Sequence, residues 1–115
     1  YTPDLSVEDN KGAPGSQFAF TGSGYPANQL AVIFVNGDVV GSVMTDGSGT
    51  GTFIIDSTGV PDGVLTVVME TDSNMSAFKD VTVDSLEPVV NPPSGFVGKT
   101  LGTSGFNTYL PILFR

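Results

Sequence analysis

The chain has 115 residues, enough for one domain with a single core. Twelve Asp and Glu against four Lys and Arg give a net charge of −8, and so few cations cannot neutralise a row of phosphates, which makes nucleic acid a poor candidate, so none is expected as a partner, and disfavours anionic membrane surfaces. Cysteine and histidine are both absent, which removes disulfides, thiolate metal sites and histidine-based catalysis.

No segment holds a helical i, i+3, i+4 pattern for long, and short β-branched and aromatic runs recur between Gly, Pro, Asp and Asn clusters. That spacing predicts an all-β sandwich. The first residues, Tyr1-Thr2-Pro3-Asp4, carry neither the basic region nor the apolar core of a signal peptide, so a mature product or a piece of a longer protein is expected.

Residues 4–8 alternate, with Leu5 and Val7 on one face, and predict a first strand. Residues 17–21 predict the second, with Phe18 and Phe20 inward. Gly22-Ser23-Gly24-Tyr25-Pro26 should break it, and Tyr25 is expected to staple that corner. Residues 30–35 predict a third strand that is apolar on both faces, so the pattern does not say which side meets the core. Asn36-Gly37 fits a type I′ hairpin turn, because both central positions need positive φ. Further strands are predicted at 39–45, at 51–56 with Phe53 and Ile55 inward, at 64–71 with Leu65, Val67 and Met69 on one face, and at 77–83. Seven strands in this length predict an immunoglobulin-like β-sandwich of antiparallel strands over residues 1–84.

Residues 85–105 are rich in Pro, Gly, Ser and Thr and read as an extended linker. The chain then closes on an apolar segment, 106–115, with Tyr109, Leu110, Ile112 and Phe114. It is too short to span a membrane and too apolar to stay in water, so no membrane insertion is expected. It should dock as a strand-like segment on the second apolar face around Leu30, Val32, Phe34 and Ile54. The docking would be within the molecule or onto a second copy, giving a homodimer.

Residues 3–84 resemble the immunoglobulin-like repeats of secreted and surface-attached bacterial proteins. The resemblance is carried by Pro14-Gly15-Ser16, Phe18-Ala19-Phe20-Thr21-Gly22-Ser23-Gly24-Tyr25-Pro26, Val35-Asn36-Gly37, Val40-Gly41-Ser42-Val43, Thr45-Asp46-Gly47-Ser48-Gly49 and Asp62-Gly63, in that order. Tyr109-Leu110-Pro111-Ile112 is similar to the short aromatic-Leu-Pro ends of some secreted bacterial proteins. The resemblance implies an extracellular or cell-surface accessory module. Its role would be spacer, stalk, adhesion or substrate proximity, its partners other domains of a parent protein or a surface ligand, and it brings no catalytic residues.

Chemistry is sparse. A serine nucleophile would need a base other than histidine, and no Ser-Lys motif stands out. Asp56 with Asp62, or Asp80 with Asp84, are the carboxylate pairs that could meet, yet outward Asp on strands is ordinary. Residues 94–100 end in Gly-Lys-Thr, but Pro93 stands where a phosphate loop needs its first glycine. Calcium is the one metal the loops suggest, through Asp46 and Asp72, with Ser48, Asn74, Glu8 and Asp9 as further oxygen donors. Lys79 and Glu70 are the pair that could crosslink covalently, or simply form an ion pair. Sugar binding lacks a Trp platform. The sequence therefore predicts a non-catalytic structural or adhesive module, with a polysaccharide- or calcium-binding module as the alternative.

Overall fold

The computed structural model describes residues 1–72 and 74–102. The 106–115 segment, with Tyr109, Leu110, Ile112 and Phe114, lies outside the described residues. Among the described residues nine strands run in order: β1 (Asp4–Val7), β2 (Lys11–Gly12), β3 (Gln17–Ser23), β4 (Leu30–Val35), β5 (Asp38–Met44), β6 (Gly51–Asp56), β7 (Gly63–Asp72), β8 (Met75–Val83) and β9 (Lys99–Gly102). They form a two-sheet β-sandwich, the fold class the sequence predicts. One sheet has the order β1-β3-β6-β9 and the other β2-β8-β7-β4-β5. Pairing is antiparallel except at two edges, where β2 joins β8 and β9 joins β6 in parallel.

The period-2 pattern of each strand aims one set of side chains between the sheets. Phe18, Phe20, Phe53 and Ile55 fill the core from the first sheet, and Ile33, Val67, Met69 and Val81 from the second, all fully buried. The Phe20 and Phe53 rings stack with centroids 5.1 Å apart. Strand β4 is settled by the same packing: Ala31, Ile33 and Val35 are buried, so Leu30, Val32 and Phe34 point away from the core.

The turns obey their residues. Asn36 and Gly37 both have positive φ (50° and 88°), as a type I′ turn needs. Tyr25 is buried at the Gly-Pro corner, and its hydroxyl donates to the Met69 carbonyl at 2.7 Å. Burial pushes that phenol up to about 12, outweighing the backbone hydrogen bond from Ala77 that pulls it down. Close approach fixes two glycines there. A Cβ on Gly49 would run into the Tyr25 carbonyl oxygen, and one on Gly24 into that of Thr2.

The linker expected over 85–105 is corrected in its described part. Ala13 N–H donates to the Pro88 carbonyl and Gln17 N–H to that of Val90, while Val90 N–H donates to the Ser16 hydroxyl. The chain then runs back from beside Gln17 to Val97, whose carbonyl accepts from the Thr52 hydroxyl. Strand β9 comes next and pairs with β6, burying Leu101 against Gly41. The physical reason is economy of apolar residues: one buried leucine between Thr100 and Gly102 is enough for an edge strand whose ladder partner is already in place.

Candidate functional site

The residues singled out for chemistry do not converge. Asp46 Oδ1 accepts three hydrogen bonds within its own turn, from Ser48 N–H, the Ser48 hydroxyl and Thr50 N–H, at 2.7–3.0 Å. The Ser48 hydroxyl is the main reason its carboxyl lies below the usual range. Asp72 accepts from Asn74 N–H at 3.0 Å in a similar turn. Asp56 accepts from the hydroxyl and N–H of Thr58 and from Gln17, and the Thr58 hydroxyl leads in lowering its carboxyl. Asp62 binds Ser85, Asp80 accepts from Thr66, and Asp84 accepts from Leu86 N–H. A general acid near neutral pH needs a raised carboxyl, and the resolved shifts of Asp46 and Asp56 run the other way.

Among the described residues, no three Asp or Glu gather where a metal ion could be held. Residues 94–100 enter a strand rather than a helix, so the Gly-Lys-Thr there offers no helix N-terminus to a phosphate. Glu70 and Lys79 are not neighbours. Glu70 pairs with Val32 and Ser76 on the outer face, while Lys79 pairs with Val67, whose side chain is in the core.

What the fold does assemble is a surface. On the outer face of the five-stranded sheet, Phe78 lies opposite Val68, Val68 opposite Phe34, and Phe34 opposite Val39. These four side chains make an unbroken apolar row across β8, β7, β4 and β5. Its two ends are the most open, Phe78 at 64% and Val39 at 60% exposed. Leu30 and Met44, paired further along β4 and β5, are also exposed. Ile54, expected on the same face as Leu30, Val32 and Phe34, is instead in the other sheet. It is buried with Ala19 outside the main core cluster, on the side where Phe96 lies against Gly98. The row was missed because it is a property of register. Phe78 and Val39 lie 39 positions apart, and each alone reads as an ordinary surface residue.

The second assembled feature is the placement of the first and last described strands. Asp4 pairs with Ser23, at the sandwich pole that holds Gly22 and Gly51. Gly102 pairs with Asp56, which pairs with Gln17 at the opposite pole. The chain therefore enters β1 at one end of the four-stranded sheet and leaves β9 at the other.

No family model matches the sequence, and no curated protein matches it. The fold is similar to the solution structure of the CARDB domain of the PF1109 protein from Pyrococcus furiosus. The two share 14% identity over 73% of this chain and 94% of that one, with a TM-score of 0.50. A crystal structure of that same CARDB domain in complex with di-metal ions gives 14% identity, 72% and 86% coverage and a TM-score of 0.49. At this identity the likeness is one of fold.

Proposed function

We propose that this chain is a non-catalytic spacer or stalk module of a larger secreted or cell-surface protein, built to carry tension between neighbouring parts of that protein. The supporting observation is the entry and exit at opposite poles of one sheet. Tension applied before Asp4 and after Gly102 draws β1 along β3 and β9 along β6, parallel to the strand axes. The ladder hydrogen bonds of each pair then share the load instead of parting one by one. The carboxylates being tied into turns agrees with a structural rather than a catalytic role.

The test is single-molecule force spectroscopy on two double-cysteine variants, which is straightforward because the chain has no native cysteine. Thr2→Cys with Gly102→Cys loads the terminal strands in shear. Leu30→Cys with Met44→Cys, a directly paired and exposed couple, peels β4 from β5. The first geometry should resist markedly more force than the second. Equal or lower resistance would remove the reason for a load-bearing role.

A further inference from the structure

We propose that the apolar row Phe78-Val68-Phe34-Val39 is a docking site for a basic amphipathic helix of a partner protein, one with an apolar stripe and Lys or Arg on both sides of it. Docking here is independent of the load-bearing reading. The reason lies in what borders the row. On one side Glu70 stands between Val32 and Ser76. On the other Asp80 stands opposite Thr66, whose hydroxyl donates to it at 2.7 Å. Both acids share the outer face with the row, because each lies two positions along its strand from a member of it, Glu70 from Val68 and Asp80 from Phe78.

No lysine answers them beside the row. Lys79 pairs with Val67, whose side chain is in the core, so it turns to the other side of β8. There it borders a cleft with Glu8, Asp9 and Glu87. Lys99 belongs to the opposite sheet and donates to the Ser42 carbonyl at 3.2 Å. Lys11 pairs with Thr82, which is about 14 Å along β8 from Phe78. Among the described residues the charges that border the row are therefore all negative.

That border decides the occupant. When two copies are laid row on row, a two-fold axis along the row brings Glu70 beside Asp80, and one across it brings Glu70 beside Glu70. Either sets like charges together, which opposes association, whereas basic flanks are attracted on both sides. The dimensions suit a helix. The row steps by about 4.8 Å from strand to strand, close to the 5.4 Å pitch of a helix, so side chains at i, i+4, i+7 and i+11 fall along it. The two acidic borders stand about 7 Å to either side, which leaves room between them for a helix about 10 Å across.

The test is titration of three synthetic peptides of about 18 residues, long enough to hold a helix, into the isotope-labelled full chain, followed by amide chemical shifts. The first has leucines at i, i+4, i+7 and i+11 flanked by lysines. The second has glutamates in place of the lysines, and the third scrambles the first so that no stripe forms. The first should shift the amides of Val39, Phe34, Val68 and Phe78 saturably. It should bind about tenfold more tightly than the second, the sum of two surface ion pairs gained in one case and two like-charge contacts met in the other. It should also bind more tightly than the scrambled peptide. In the double variant Glu70→Lys with Asp80→Lys the preference between the first two should reverse. Should that variant fail to fold, the comparison on the native chain decides. Absence of saturable shifts, equal affinity for any two of the peptides, or shifts centred on Glu8 and Glu87 or on Leu30 and Met44 would overturn the proposal. So would movement of the row's amides on diluting the chain alone, which would make a second copy the occupant.

Discussion

Leu101 and Gly41 test whether β9 belongs to the folded unit. Leu101 is 4% exposed, and the nearest atom to a Cβ on Gly41 would be Leu101 Cδ2 at 2.6 Å. Leu101→Ala removes three buried carbons, about 2.4 kcal/mol of transfer free energy. A residual cavity adds to this, so a loss of about 3 kcal/mol is expected, a large part of the roughly 5–15 kcal/mol typical of a domain. Gly41→Ala drives a methyl into Leu101 and should cost about 1–3 kcal/mol. In the Leu101→Ala background the methyl has room, and its effect should shrink or turn stabilising, giving a coupling of about 1 kcal/mol or more. Urea unfolding followed by far-ultraviolet circular dichroism measures all four corners of the cycle. If Leu101→Ala cost less than about 0.5 kcal/mol, the size of an ordinary surface change, β9 would be no part of the core. If in addition Gly41→Ala behaved alike in both backgrounds, the contact itself would be absent.

Tyr25→Phe leaves the Met69 carbonyl without its buried donor and should destabilise by about 1–3 kcal/mol in the same assay. Tyr25 is held protonated up to about 12 in the fold but ionises near 10 when unfolded, so its contribution is full below pH 10 and is lost as pH rises towards 12. The alkaline fall in stability should therefore be shallower in Tyr25→Phe than in the native chain, and equal slopes would contradict the burial argument. Asp46 and Asp56 shift the other way, so their contribution is present above the unfolded carboxyl range and lost as pH falls through their lowered values. Asp46→Asn should flatten the acid limb, and an unchanged limb would mean that its turn contributes nothing. Calcium at millimolar concentration should leave the melting temperature where a chelator leaves it, because Asp46 already serves three donors. A saturable rise would point to a cation site at the loops.

Much of the sandwich could be read from the sequence because its strands obey simple rules. Residues 30–35 and 51–56 are strands with the expected ends, and Phe18, Phe20, Phe53 and Ile55 all point inward. Asn36-Gly37 announces its turn through chemistry that few other pairs can supply. The misses have a common cause. β2 has two residues and β9 has one buried leucine, so neither carries a period. Both are edge strands, held by ladders that the centre of the fold provides. Ser23 extends β3 through Gly22 because Gly51 stands opposite and Met69 fills the space a side chain would need. The core side of β4 was undecidable from Leu30 to Val35 alone, since both faces are apolar. Packing against Val67 and Met69 decides it. The candidate surface was harder still, because register brings Phe78, Val68, Phe34 and Val39 into line from four separate strands.

A load-bearing role requires that the chain enter β1 and leave β9 at opposite ends of one sheet. The distance between spin labels on Thr2→Cys and Gly102→Cys checks that arrangement. Asp4 sits level with Ser23 and Gly102 level with Gln17. Six strand rises and three strand spacings separate those points, which gives a backbone separation of about 25 Å. A single narrow distribution near that value or somewhat above it is the expected result. A distribution centred below about 15 Å, three strand spacings and no more, would place the two ends side by side and contradict the load-bearing arrangement.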